Sequence, residues 1–119
     1  MNNTTVKIYH NPRCRKSRET LALLQERGIE ADIIEYLKTP PSTTELNDIL
    51  SKLNMTPQDL MRTKESVYKE LDLKNSDLTD DALIKIMAQN PILIERPIVI
   101  STKGAALGRP PENALSVIE

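Results

Sequence analysis

One residue of this chain carries a thiol, Cys14, and one an imidazole, His10. Both lie in the run His10-Asn11-Pro12-Arg13-Cys14-Arg15-Lys16-Ser17-Arg18, which also holds four basic side chains. The run follows a strand pattern and precedes a helical one, so Cys14 is expected at a helix N-terminus. The partial positive charge there favours thiolate over thiol, and nearby cations add to it. The chemistry indicated is nucleophilic attack by Cys14 at a site that holds an oxyanion. His10, if cationic beside the sulfur, would lower the thiol pKa; the alternative is a strand-end histidine bonded to backbone. Ser17 stands where a Cys-x-x-Cys motif has its second cysteine. Its hydroxyl can reach the Cys14 sulfur, or it can satisfy first-turn backbone amides. In neither case can it close a disulfide, so a redox cycle at Cys14 needs a thiol from outside.

Three further arginines stand apart from this run. Arg62 follows a short helical pattern. Arg96 lies between the apolar triplets Ile92-Leu93-Ile94 and Ile98-Val99-Ile100, where a charge needs a partner or a ligand. Arg109 lies between Gly108 and Pro110-Pro111. A guanidinium presents paired donors that suit oxyanions, although any single arginine is also compatible with a solvated surface charge. Pro97, directly after Arg96, precedes a hairpin pattern. In thioredoxin-like folds that place holds a cis proline facing the nucleophile.

Composition narrows the classes. The chain has 119 residues and a formal net charge of −1, which gives no general field for nucleic acid or a membrane surface. The basic run is short and has no interleaved aromatics, which argues against a nucleic-acid patch. With no Phe or Trp and three Tyr, the core must be aliphatic. A single cysteine excludes an internal disulfide and fits a reducing compartment, and no zinc-ligand spacing is present. Met1-Asn2-Asn3-Thr4-Thr5 is polar, unlike a signal peptide, and no apolar run is long enough to span a membrane. The expectation is a cytoplasmic protein.

The elements that must position these residues follow from periodicity. Val6-Lys7-Ile8-Tyr9 alternates as a strand, Asn11-Pro12 ends it, and a helix runs from Cys14 with Leu21 and Leu24 inward and Gly28 as its stop. Ile29 to Tyr36 supplies a second strand, giving a βαβ unit with parallel strands. Ser42-Thr43-Thr44-Glu45 reads as a capping box before Leu46, Ile49, Leu50 and Leu53 at helical spacing. Thr56-Pro57 opens a short helix, Ser66 to Leu73 reads as helix or turn, and Thr79 caps a helix through Gln89. Ile98-Val99-Ile100 and Ala105-Ala106-Leu107-Gly108 flank a Gly-containing turn and predict a hairpin. Pro110-Pro111-Glu112 opens a terminal helix with Leu115 and Ile118 inward. The expected fold is α/β and thioredoxin-like: a four-stranded mixed sheet flanked by helices, forming one domain over 1–119 with a helical insertion at about 40–90.

Several blocks then resemble the glutaredoxin-coupled arsenate reductase family. They are His-Asn-Pro-x-Cys-x-x-Ser-Arg at 10–18, Tyr36-Leu37-Lys38-Thr39-Pro40-Pro41-Ser42, Leu60-Met61-Arg62, the run from Asn90 to Val99, and Gly108-Arg109-Pro110. The resemblance implies that Cys14 attacks arsenate and that Arg62, Arg96 and Arg109 bind the oxyanion. It places His10, Asn11, Ser17 and Pro97 in support. It implies no bound cofactor, glutathione as the external reductant and glutaredoxin as the protein partner; with the composition, the expectation is a monomer without nucleic acid, membrane or metal. Two other readings stay open. One is a thiol-dependent reductase of another substrate. The other is a non-catalytic regulator from a related branch that binds RNA polymerase, against which Ser17 argues, since that branch carries Cys-x-x-Cys.

Overall fold

The computed structural model describes residues 6–118, and the polar lead-in at 1–5 lies outside them. The chain divides into two compact units, one of residues 1–39 with 96–119 and one of residues 40–95.

The first unit is a sheet of four short strands: β1 (Lys7–His10), β2 (Asp32–Glu35), β3 (Ile98–Ser101) and β4 (Gly104–Leu107). Their order is β2-β1-β3-β4. β1 and β2 run parallel, with His10 opposite Glu35, while β1–β3 and β3–β4 are antiparallel. Helix α1 (Arg15–Glu26) makes the crossover between the parallel strands. It ends in a Schellman motif: Gly28 sits at φ +72°, and the Ile29 and Gly28 N–H groups donate to the carbonyls of Leu24 and Gln25 at 2.9 and 3.0 Å. Strand alternation puts Val6, Ile8 and Val99 on one face, where they pack with Leu24 of α1 and with Ala114 and Val117. This is the expected mixed sheet with flanking helices, the thioredoxin-like plan.

Two details differ from the sequence pattern. The terminal segment Pro111–Val117 is a 3-10 helix, so its buried positions are Ala114 and Val117, three apart, and not Leu115. The buried stripe of α1 is Ser17, Thr20 and Leu24, with Leu21 only partly covered. Two small hydroxyl residues take core positions that a hydrophobicity pattern does not assign to them.

The second unit is helical: α2 (Thr43–Leu53), α3 (Pro57–Leu60), α4 (Ser66–Glu70) and α5 (Asp80–Gln89), with 3-10 turns at Leu73–Asn75 and Pro91–Leu93. Its helix starts are set locally. Ser42 and Glu45 form the expected capping box, Thr56 and Asp59 form a second, and the Thr79 hydroxyl accepts from the Ala82 N–H. Leu46, Ile49 and Leu50 are buried as their spacing requires.

Leu24 is fully buried in the sheet-side core. Leu24→Ala is therefore expected to cost about 2–5 kcal/mol in urea unfolding. Ile33, on edge strand β2, is 49% exposed, and Ile33→Thr should stay within about 0.5 kcal/mol of the parent. Equal losses at both positions would contradict this assignment of the core.

Candidate active site

Cys14 is the N-cap of α1, with extended backbone at φ −94° and ψ 122°. The loop that carries it is organised by Asn11. The Asn11 carbonyl accepts from the Cys14 N–H at 2.9 Å, and its side-chain oxygen accepts from the Arg13 N–H at 3.0 Å. The Asn11 N–H in turn donates to the Ser17 hydroxyl at 3.0 Å. Strand end and first helical turn are thereby tied into one rigid loop.

The sulfur occupies the place where a capping serine or aspartate has its oxygen. It makes no capping hydrogen bond of full geometry, yet the N–H groups of Ser17 and Lys16 are directed at it as dipoles. Burial pushes the Cys14 thiol up. The Ser17 amide, the charge and hydrogen bond of the Arg96 guanidinium, and the Lys16 amide outweigh it, so the pKa falls below that of an ordinary cysteine. The site thus favours a thiolate in a nearly closed position, where Cys14 is 9% exposed.

The charge beside the sulfur is Arg96, not the basic run around Cys14. Arg15 and Lys16 turn outward to Glu19, at 3.4 and 3.6 Å, and the Arg18 guanidinium donates to the Pro12 carbonyl at 2.9 Å. Neighbours on a helix surface diverge in direction, so sequence proximity did not bring them to the sulfur.

Ser17 acts through its amide rather than its hydroxyl. The hydroxyl meets His10, whose Nδ1 lies 2.6 Å from the Ser17 oxygen, in addition to the Asn11 N–H. Of the two readings of His10, the cation beside the sulfur is not the one formed. Burial lowers its pKa, against Glu35, which raises it, and with Arg18 adding to the lowering, so the ring is neutral at pH 7. A neutral imidazole holding Ser17 fixes the first turn of α1, and with it the amide aimed at the sulfur. Glu35 was not singled out from the sequence; the parallel register that sets it opposite His10 would have pointed to it.

Pro97 follows Arg96 through a cis peptide bond, as its position before the hairpin predicts, and Arg109–Pro110 is cis as well. Arg109 is exposed; its Nη1 makes a long contact, 3.4 Å, to the Arg96 carbonyl. Arg62 belongs to the helical unit. There the Met61–Ile94 bridge, flanked by Arg62 N–H to Leu93 O at 2.7 Å and Glu95 N–H to Leu60 O at 2.8 Å, presents it to two carboxylates. Its Nε donates to Glu65 at 3.1 Å and its Nη1 to Glu95 at 2.8 Å. Burial opposes its charge, and the two carboxylates more than restore it. Among the described residues no cluster of His, Cys, Asp and Glu could hold a metal ion, and no helix is long and apolar enough to cross a membrane.

The sheet order, the cysteine capping the helix after β1 and the cis proline before β3 define a thioredoxin-like protein with a single cysteine in its first loop. Comparison with known proteins places it further: a profile described as the ArsC family matches residues 9–117. The chain is 51% identical over 95% of its length to an arsenate reductase of Neisseria meningitidis serogroup A, covering 97% of that protein. It is 53% identical to the Escherichia coli K12 protein YfgD, described as uncharacterized, over 95% of this chain and 96% of that one. The solved arsenate reductase of Vibrio cholerae superposes with a TM-score of 0.93 at 51% identity, covering 98% of this chain and 99% of that one. The chain belongs to the ArsC family.

Two outcomes follow. Arg96→Ala should raise the pH midpoint of Cys14 alkylation, whereas Arg15→Ala and Lys16→Ala should leave it in place. The reverse ranking would return the charge to the local run. For His10, a folded pKa held below the unfolded one means that stability is complete above about pH 6.5 and declines as pH falls toward the folded value. Denaturant midpoints measured from pH 7 to 5 should fall in the parent protein, and the fall should be smaller in His10→Gln.

Proposed function

We propose that the protein reduces arsenate to arsenite, with Cys14 as the nucleophile. What carries this reading is a buried sulfur whose pKa the α1 amides and Arg96 lower, in a chain with no second cysteine. The names of relatives at about half identity support the choice of oxyanion.

The Cys14 thiolate displaces a hydroxyl from arsenate, which leaves as water after protonation, and a sulfur–arsenic(V) bond forms. Arg96 and Arg109 bind the remaining oxygens and spread their charge. Reduction to arsenic(III) takes two electrons. Two external thiols supply them and emerge as one mixed disulfide: glutathione, which displaces a second hydroxyl of the arsenylated cysteine as water and binds the arsenic, and glutaredoxin, which attacks the glutathione sulfur and leaves the bonding pair on arsenic(III). Water then releases arsenite and Cys14 returns as a thiol. Cys14 is never oxidised to a disulfide within the chain, which accords with serine at position 17. No bound cofactor is required. The protein works as a monomer in the cytoplasm, and its partners are the oxyanion, glutathione and glutaredoxin.

The test is arsenate-dependent NADPH oxidation in a mixture with glutathione, glutaredoxin and glutathione reductase. The intact protein should turn over and Cys14→Ser should not. Arg96→Ala should lower kcat/KM by about 10²–10³-fold, the loss typical of removing a donor to a developing oxyanion. An intact, folded protein that consumes no NADPH with arsenate would overturn the proposal. Equal consumption without arsenate would assign the chain to thiol reduction of another substrate.

A further inference from the structure

The three glycines of this chain do different work. Gly28 and Gly104 sit at φ +72° and +138°, backbone that L side chains avoid, and have open space where a Cβ would be. Gly108 is the opposite case. Its backbone is ordinary, but a Cβ there would lie 2.4 Å from the Thr20 hydroxyl oxygen, 2.8 Å from the Thr20 methyl carbon and 2.8 Å from Cγ of Pro97. Gly108 is glycine for lack of room.

The groups that crowd it belong to the two arms of the candidate site. Thr20 lies one turn beyond Ser17 on α1, is fully buried, and brings its hydroxyl to the Gly108 carbonyl at 3.2 Å and the Lys16 carbonyl at 2.8 Å. Gly108 donates its N–H to the Pro97 carbonyl at 2.9 Å, one step past the Ile98–Leu107 end of the hairpin ladder. The chain of contact runs from α1, through Thr20, Gly108 and Pro97, to Arg96. One end carries the amides aimed at the sulfur, and the other carries the guanidinium beside it.

We infer that Thr20 and Gly108 are positioning residues, a close-packed clip that fixes the Arg96 turn against the helix carrying Cys14. The clip sets where the guanidinium stands relative to the sulfur. A charge interaction weakens as separation grows, so a shift of one arm against the other is read directly at Cys14. A methyl added at Gly108 must push the arms apart, because neither the threonine Cβ branch nor the proline ring can swing away. Loss of the Thr20 hydroxyl frees the Gly108 carbonyl and removes the tie without changing the volume much.

The inference rests on Cys14 acting as a thiolate but needs no oxyanion, so its test is separate from turnover. The rate of Cys14 alkylation by iodoacetamide is followed against pH in Gly108→Ala, Thr20→Val and Thr20→Ser, with thermal unfolding of each. Gly108→Ala and Thr20→Val should move the midpoint up by about one pH unit, which is about tenfold slower alkylation below the midpoint. Thr20→Ser, which keeps the hydroxyl, should stay near the parent. Should Gly108→Ala not fold, the threonine pair decides alone. A folded Thr20→Val with the parent midpoint overturns the inference, as does a Thr20→Ser that shifts as far as Thr20→Val. A parent protein with an ordinary cysteine midpoint would sink the thiolate reading itself.

Discussion

The interaction of the buried Cys14 sulfur with the α1 amides and the Arg96 guanidinium is the one on which the rest of this site depends. Burial alone would keep Cys14 protonated, since a charge taken from water is disfavoured without compensation. The compensation comes from two directions. The first turn of α1 aims the Ser17 and Lys16 amides at the sulfur, and the turn before β3 sets Arg96 beside it. Neither source suffices as a description of the site. The amides orient only if the helix starts at Cys14, and the guanidinium helps only if the hairpin is held against that helix.

Much of the sheet-side unit serves this arrangement. Asn11 locks the loop, and Ser17 anchors the helix start through its hydroxyl while its amide serves the sulfur. A neutral His10 holds that hydroxyl, so the imidazole contributes geometry and not charge. Thr20 continues the same buried face to the Gly108 carbonyl. Three consecutive turns of α1 thus present hydroxyl, hydroxyl and leucine inward, and only the last is conventional core. Small buried hydroxyls are tolerable because each has a partner, without which burial would be costly.

The helical unit is held by shorter-range logic. Reciprocal caps start α2 and α3, and a single antiparallel bridge sets Arg62 between Glu65 and Glu95. Those carboxylates keep the guanidinium charged and oriented. They also occupy its Nε and Nη1 donors.

The cis position at Pro97 followed from the thioredoxin-like plan, but local patterns were enough to read the strands, the Ser42–Glu45 capping box and the Gly28 stop, because each depends on residues within a turn or two. Cys14 at a helix N-terminus was legible for the same reason. The source of its charge was not. Arg15 and Lys16 turn to Glu19 on the helix surface and Arg18 turns to the Pro12 carbonyl, and the cation that reaches the sulfur arrives with the turn before β3. The 3-10 form of Pro111–Val117, the inward Thr20 and the crowding at Gly108 were likewise hidden. A residue's type does not say what the fold will press against it. Sequence determined which groups were available and where elements began and ended. Tertiary structure decided which of them meet, because charge interactions and close packing act across space and take no account of order along the chain.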